Sequence, residues 1–331
     1  MYPIRSVTAI RTAACALLIG AMSAFSASAQ DYPTRPITFV VSFAPGGLSD
    51  VPARLLGAEM QQHIGQSIVV ENRPGASGIT GASSVQRAAP DGYTLLVSAI
   101  SEVQNLHYLP VPYKFTSDFT QIGKIADGPT VVLIVGANSP YKTLADLIKD
   151  AKANPEKISF STSGPATSPA IAVSQLNSMA GIKIVDVPYR GTAPAATAVM
   201  SGEVQGAFVY YPSAKPLVDD GKVRALAVAN SKRIPQLKDV PTMAELGFPG
   251  FEHNAFVGLA GPPGMPPAIV AKLNKALNET VQSASFRARI EPLGMVAPPA
   301  DNTPESLTKF LVKETEYQAG LAKLSGRKLA K

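Results

Sequence analysis

Short runs of β-branched and aromatic residues alternate with helix-spaced segments along almost the whole chain, which restricts the fold to α/β architectures built on parallel strands. The first unit runs from Ile37 to Phe43, turns through Ala44-Pro45-Gly46-Gly47-Leu48-Ser49-Asp50, and continues with Val51, Leu55 and Ala58 at helical spacing to Gly65. Ser67 to Glu71 is a second run, closed by Asn72-Arg73-Pro74-Gly75, and Pro90-Asp91-Gly92 leads into a third, Tyr93 to Ala99. A less regular stretch, Ser101 to Asp118, precedes another strand pattern at Thr130 to Val135, where the alternation starts afresh. Helical patterns at Leu144 to Asn154, Pro169 to Ala180 and Ala193 to Ser201 then interleave with strand patterns at Ile158 to Ser161, Ile184 to Val187 and Val204 to Tyr210. Val223 to Ala229 and a Pro- and Gly-rich segment, Phe248 to Pro267, lead to three helical patterns beginning near Pro266, Ser285 and Pro304.

Two sets of units imply two lobes, and single cores stop growing at roughly 300 residues. The expected division is 30–131 plus 256–331 for the first domain and 132–255 for the second, each a mainly parallel sheet flanked by helices. Such sheets bind ligands beyond the carboxyl ends of their strands, so the predicted site is the cleft between the lobes.

Arg5 and Arg11 precede an apolar run, Ala13 to Phe25, and the small residues Ala27-Ser28-Ala29. This is the pattern of a secretory signal peptide over residues 1–29, too short to span a membrane, with cleavage after Ala29 and export of the mature chain. The single cysteine, Cys15, leaves with it, removing disulfides, thiolate catalysis and cysteine metal sites together. Loss of two arginines lowers the formal charge from +6 to +4, and the remaining basic residues are scattered, so nucleic-acid binding is not expected. The sequence contains neither G-x-S-x-G nor H-E-x-x-H, and His63, His107 and His253 read as structural, so no enzyme, metal or cofactor is expected. Nucleotide loops are also excluded, since Gly75, Gly78 and Gly81 lack the required spacing.

Three strand-to-helix loops offer chemistry suited to an anion. Phe43 to Asp50 places glycine backbone and a helix N-terminus at the cleft, with Asp50 either stabilising the dipole or meeting a ligand's amino group. Ser161-Thr162-Ser163-Gly164-Pro165-Ala166-Thr167-Ser168 carries five hydroxyls, able to grip a carboxylate or to cap the following helix. Pro188-Tyr189-Arg190-Gly191-Thr192 adds Arg190, a carboxylate partner or a surface cation.

Read together, these loops resemble the Bug family of extracytoplasmic solute receptors, the binding subunits of tripartite tricarboxylate transporters. The resemblance runs through the mature chain and rests on Tyr32-Pro33-Thr34-Arg35-Pro36-Ile37, Pro45-Gly46-Gly47-Leu48-Ser49-Asp50, Val69-Val70-Glu71-Asn72-Arg73-Pro74-Gly75-Ala76 and Ala88-Ala89-Pro90-Asp91-Gly92-Tyr93-Thr94-Leu95-Leu96. Val187-Pro188-Tyr189-Arg190-Gly191, Gly221-Lys222-Val223-Arg224-Ala225-Leu226-Ala227-Val228 and Asp239-Val240-Pro241-Thr242 extend it. It implies a two-lobed periplasmic-binding-protein (Venus flytrap) fold in which the glycine loop and the Ser/Thr loop hold a ligand carboxylate. Ala170, Phe256 and Val209-Tyr210-Tyr211 stand where the family commonly has histidine, tryptophan and an aspartate. The two tyrosines suggest an aromatic or otherwise apolar carboxylate. The expected ligand-binding set is Phe43, Pro45, Gly46, Gly47, Ser49, Asp50, Ser98, Ser101, Thr162, Ser163, Gly164, Thr167, Ser168, Arg190, Gly191, Tyr210, Tyr211 and Phe256. The expected partners are a small carboxylate and the transporter's membrane subunits, for a monomeric receptor. A sensing subunit for a signalling receptor, or an enzyme acting on a carboxylate, are the alternatives.

Overall fold

The computed structural model describes residues 32–324; the signal-peptide segment and Cys15 lie outside the described residues. The chain opens with β1 (Ile37–Val41), α1 (Asp50–Ile64), β2 (Ile68–Asn72), α2 (Ile79–Gln86), β3 (Thr94–Ala99) and α3 (Ile100–Tyr108). A 17-residue strand, β4 (Thr120–Gly136), then leads to α4 (Leu144–Ala153), β5 (Ser159–Thr162), α5 (Ser168–Ala180) and β6 (Val185–Pro188). Next come α6 (Thr192–Ser201), β7 (Gly206–Tyr210), α7 (Tyr211–Asp219) and β8 (Val223–Val228). The chain closes with β9 (Asn254–Gly261), α8 (Pro267–Val281), α9 (Ala284–Ile290) and α10 (Pro304–Leu324).

The helices form where apolar residues recur on one face. In α1, Ala53, Leu56, Met60 and Ile64 are buried at spacings of three and four, and Gly65 ends the helix in a left-handed conformation, its N–H on the Gln61 carbonyl. In the second lobe Phe208 stacks on Phe251 and meets Phe160 edge-on. Full burial of one such ring contributes about 1.5–3 kcal/mol.

The strands form one continuous path. The first sheet has the order β2-β1-β3-β9-β4 and the second β8-β4-β7-β5-β6. Within each, the strands that feed the cleft loops are parallel: β1 with β2 and β3, and β5 with β6 and β7. Antiparallel strands complete them, β9 between β3 and β4 in the first and β4 against β7 and β8 in the second. The sheets are therefore mixed, with the parallel alternation confined to the loop-bearing strands.

β4 belongs to both sheets. Its register with β9 ends at Thr130↔Asn254, and its register with β7 begins at Val131↔Tyr210. The three C-terminal helices return to the first sheet, α8 packing on α1 and α10 on α3.

Two elements depart from the sequence reading. The stretch from Ser101 contains α3, whose buried face carries Ser101, Glu102, Gln104 and Asn105 beside Ile100 and Val103. An inward face this polar has no apolar periodicity to read. The Pro- and Gly-rich segment contains β9, seven of whose eight residues are buried.

Candidate functional site

Five strand-to-helix junctions converge between the lobes. The first follows β1, where the glycine loop is shaped by Asp50 at the start of α1. Its carboxylate accepts the Gly46 N–H at 2.9 Å, two Arg54 N–H groups at 2.9 and 3.1 Å, and Asn72 Nδ2 at 2.8 Å. Burial alone would raise this carboxyl, but the bonds from Arg54, Gly46 and Asn72 outweigh it and hold Asp50 below its ordinary range. With its oxygens so engaged, Asp50 fixes the glycine loop to Arg54 and Asn72.

Facing it from the second lobe, β5 runs into the Ser/Thr loop. Thr167 donates to the Gly164 carbonyl at 2.8 Å, and Ser163 donates to Thr167 Oγ1 at 3.0 Å, a short hydroxyl chain at the N-terminus of α5. Four of the contacts that cross between the lobes among the described residues lie here. Ala44 N–H donates to the Arg190 carbonyl at 3.0 Å, and Ser213 Oγ to the Gly46 carbonyl at 3.2 Å. Gln104 Nε2 on α3 donates to Ser168 Oγ at 2.8 Å. At the fourth, a Cβ on Gly164 would come within 2.7 Å of Ser77 Oγ. Gly46, Gly164 and Gly191 all have positive φ here, and a Cβ on Gly191 would sit 3.3 Å from the Ala44 nitrogen.

Between these contacts lies a narrow cavity of about 20 Å³, lined by Phe43, Gly47, Leu48, Ser101, Ser163, Thr167, Thr192 and Tyr210. It has room for little more than one water. Hydroxyls and apolar walls make up this lining, which contains no lysine, arginine or histidine among the described residues. Beneath it, Glu102 is buried on α3, its Oε2 accepting the Ala99 N–H at 2.8 Å and the Ser101 hydroxyl at 3.0 Å. Burial pushes this carboxyl up to about 7, against the hydrogen bonds it receives from the Ala99 N–H and the Ser101 hydroxyl. Burial also raises the Tyr210 phenol, which adjoins Ser168.

Comparison with known proteins agrees with this geometry. Residues 52–322 match the tripartite tricarboxylate transporter family receptor, TctC. The chain belongs to this receptor family. Its structure is similar to that of the periplasmic binding protein BugD, with TM-score 0.84 and 32% identity over 89% of this chain and 99% of that one. It is also similar to MatC of Rhodopseudomonas palustris with bound malate, with TM-score 0.83 and 33% identity over 88% and 100% of the two chains. R. palustris Rpa4515 with adipate gives TM-score 0.84 and 32% identity over 91% and 99%. The protein is a TctC-type solute-binding receptor of the periplasmic binding protein class, and its relatives are receptors, not enzymes.

Of the residues expected at the receptor's site, Phe43, Gly47, Ser101, Ser163, Thr167 and Tyr210 line the cavity. Gly46, Gly164, Ser168 and Gly191 form the seam around it. Ser49 is buried at the α1 N-cap position without a capping hydrogen bond, and Pro45 is exposed. Thr162 turns away, its hydroxyl donating to Asp186 at 2.6 Å, and Ser98 is buried in β3 opposite Gly258. The Arg190 side chain is exposed; only its carbonyl meets the other lobe. Tyr211 packs in the second lobe's core, with one ring edge against Gly294 of the first lobe, because it follows Tyr210 at a strand-to-helix turn. Phe256 packs edge-on against Phe310 and lines a separate groove of about 780 Å³ beside the crossing strands. The histidines are dispersed: His63 faces Glu279, His107 the Thr315 carbonyl, and His253 Gln175.

The expected ligand-binding set left out Leu48 and Thr192, although both stand in the loops read from the sequence, and also Ser213, Gln104, Ser77 and Glu102. Ser213 follows β7 in the first turn of α7, so the strand-to-helix placement that singled out the other loops would have flagged it too. The α3 residues carry no such signal.

Proposed function

We propose that the receptor captures one carboxylate group of a small, apolar-bodied organic acid in this cleft and presents the closed, loaded form to membrane subunits of a tripartite tricarboxylate transporter. The observation that carries this reading is a cleft floored by the glycine loop of one lobe and the Ser/Thr loop of the other, with hydroxyls and helix N-termini in place of a cation. Phe43, Leu48 and Tyr210 supply the apolar walls, suited to an aliphatic or aromatic body. The similar structures hold malate and adipate, both small organic acids.

The working division is 30–131 plus 256–331 for one lobe and 132–255 for the other, with export by the signal peptide and a monomeric mature chain. A ligand touching both lobes binds the closed form better than the open one and shifts the population toward it. The cavity is too small to admit an acid directly, so capture requires the lobes to part and close again.

Thermal melting of the ligand-stripped mature protein against a panel of aliphatic and aromatic acids tests the reading. An acid at a hundred times its Kd adds about 2.7 kcal/mol and raises the midpoint by several degrees. Ser163→Ala should reduce that shift strongly for the best acid. Absence of any shift across the panel would remove the carboxylate assignment.

A further inference from the structure

We propose that Glu102 is a proton site coupled to ligand capture, so that the receptor takes up a proton together with its anionic ligand. The inference rests on the carboxylate reading above and identifies what accompanies that ligand into the cleft.

The hydroxyl of Ser101 links the cavity to Glu102. It lines the cavity, and its one proton is donated to Glu102 Oε2 at 3.0 Å. With the Glu102 carboxylate ionised, Ser101 turns only lone pairs toward the cleft, a repulsive face for an incoming carboxylate. A proton taken from solvent onto Oε2 reverses this bond. Glu102 then donates to Ser101 Oγ, and the serine proton is free to donate to the ligand. No covalent bond changes, and the net step is one proton gained per anion bound.

Among the described residues, no cationic side chain stands at the cavity to offset the two negative charges. Of the elements packed on α3, the strands β3 and β9, the helix α2 and the turn at 76–78 contain no titratable residue. The titratable groups that feel the Glu102 charge are the phenols of Tyr113 and Tyr210, both made harder to ionise by burial. On α10, Gln318 meets Gln104, and Glu314 lies near Lys124 and Asp127. The remaining charged residues of that helix up to Glu316, namely Glu305, Lys309, Lys313 and Glu316, are exposed. On α3 itself, His107 faces the Thr315 carbonyl. Ser42 adjoins the carboxyl without a hydrogen bond of good geometry. An anion closed into this cleft therefore favours the protonated acid, and burial has already brought Glu102 to about 7 before any ligand arrives.

Isothermal titration of the mature protein with malate and with adipate, in phosphate and in Tris at pH 8, counts the protons exchanged. The expected result is uptake approaching one proton per ligand, with Kd tightening by up to tenfold per pH unit from pH 8.5 toward 7 and levelling at lower pH. Glu102→Gln should abolish the uptake and flatten the pH dependence of Kd. Measurable binding with no buffer-dependent heat in the wild-type protein overturns the proton site while leaving the carboxylate reading intact. No binding of either acid, or of any other member of the panel, removes both. The wild-type proton count decides the matter even if the variant folds poorly.

Discussion

Two buried titratable groups tie the receptor's stability to pH with opposite signs. Glu102 titrates at about 7 against an ordinary 4.5, so between these values the folded protein keeps a proton that the unfolded chain has released. Raising the pH through this window therefore destabilises, by about 3 kcal/mol in total. His253, buried against Phe251 and Gln175, titrates at about 4 against an ordinary 6.5, because burial disfavours the imidazolium. Here the unfolded chain holds the extra proton, and raising the pH from 4 to 6.5 stabilises by a similar amount, about 3 kcal/mol. The two slopes nearly cancel between pH 4.5 and 6.5. Glu102→Gln leaves an amide that resembles the protonated acid and removes one slope. Urea unfolding of the ligand-free proteins should give equal stabilities near pH 4.5. The variant should gain steadily above that, reaching an advantage of about 3 kcal/mol at pH 7 that stays constant beyond. A difference between variant and wild type that does not change with pH would refute the burial argument for Glu102.

Gly164→Ala adds a Cβ 2.7 Å from Ser77 Oγ at a left-handed position, so the seam cannot close fully. Small-angle scattering should show a ligand-driven contraction for the wild type and for Gly320→Ala, which has open space around it, and none for Gly164→Ala. Tyr211→Ala removes a fully buried ring and should cost about 3–5 kcal/mol of unfolding free energy without weakening ligand affinity, whereas Tyr210→Ala should weaken affinity in titration calorimetry.

The parallel units were legible because their strands are short apolar runs and their helices carry one apolar face. Leu144 to Asn154 and Pro169 to Ala180 differ from α4 and α5 by a single residue at one end. The loops between them could be placed at the cleft by topology alone, which is how Gly47, Ser163 and Thr167 were found. What stayed hidden was polar burial. The buried face of α3 is made of Ser101, Glu102, Gln104 and Asn105, residues whose usual place is the surface, and only the folded chain shows their partners. The first half of β4 was equally opaque, since Gln121, Gly123, Lys124 and Gly128 interrupt it and its register with β9 slips three times. For Tyr210 and Tyr211, neighbouring positions at a strand end point to different places, and the sequence does not say which of the two turns inward.

The seam between the lobes is made of backbone and missing side chains: Ala44 N–H on a carbonyl, and Gly46, Gly164 and Gly191 each at a position where a Cβ would press on the opposite lobe. On the proposed reading, the seam contacts that would hold the lobes closed are distinct from the side chains that would meet the ligand. The groups that would read a ligand, Ser101, Ser163 and Tyr210, occupy other positions and can be exchanged without rebuilding the seam. A receptor organised in this way is a chassis, in which the cargo can change over evolutionary time, or at the bench, while the mechanical signal of a filled cleft stays the same.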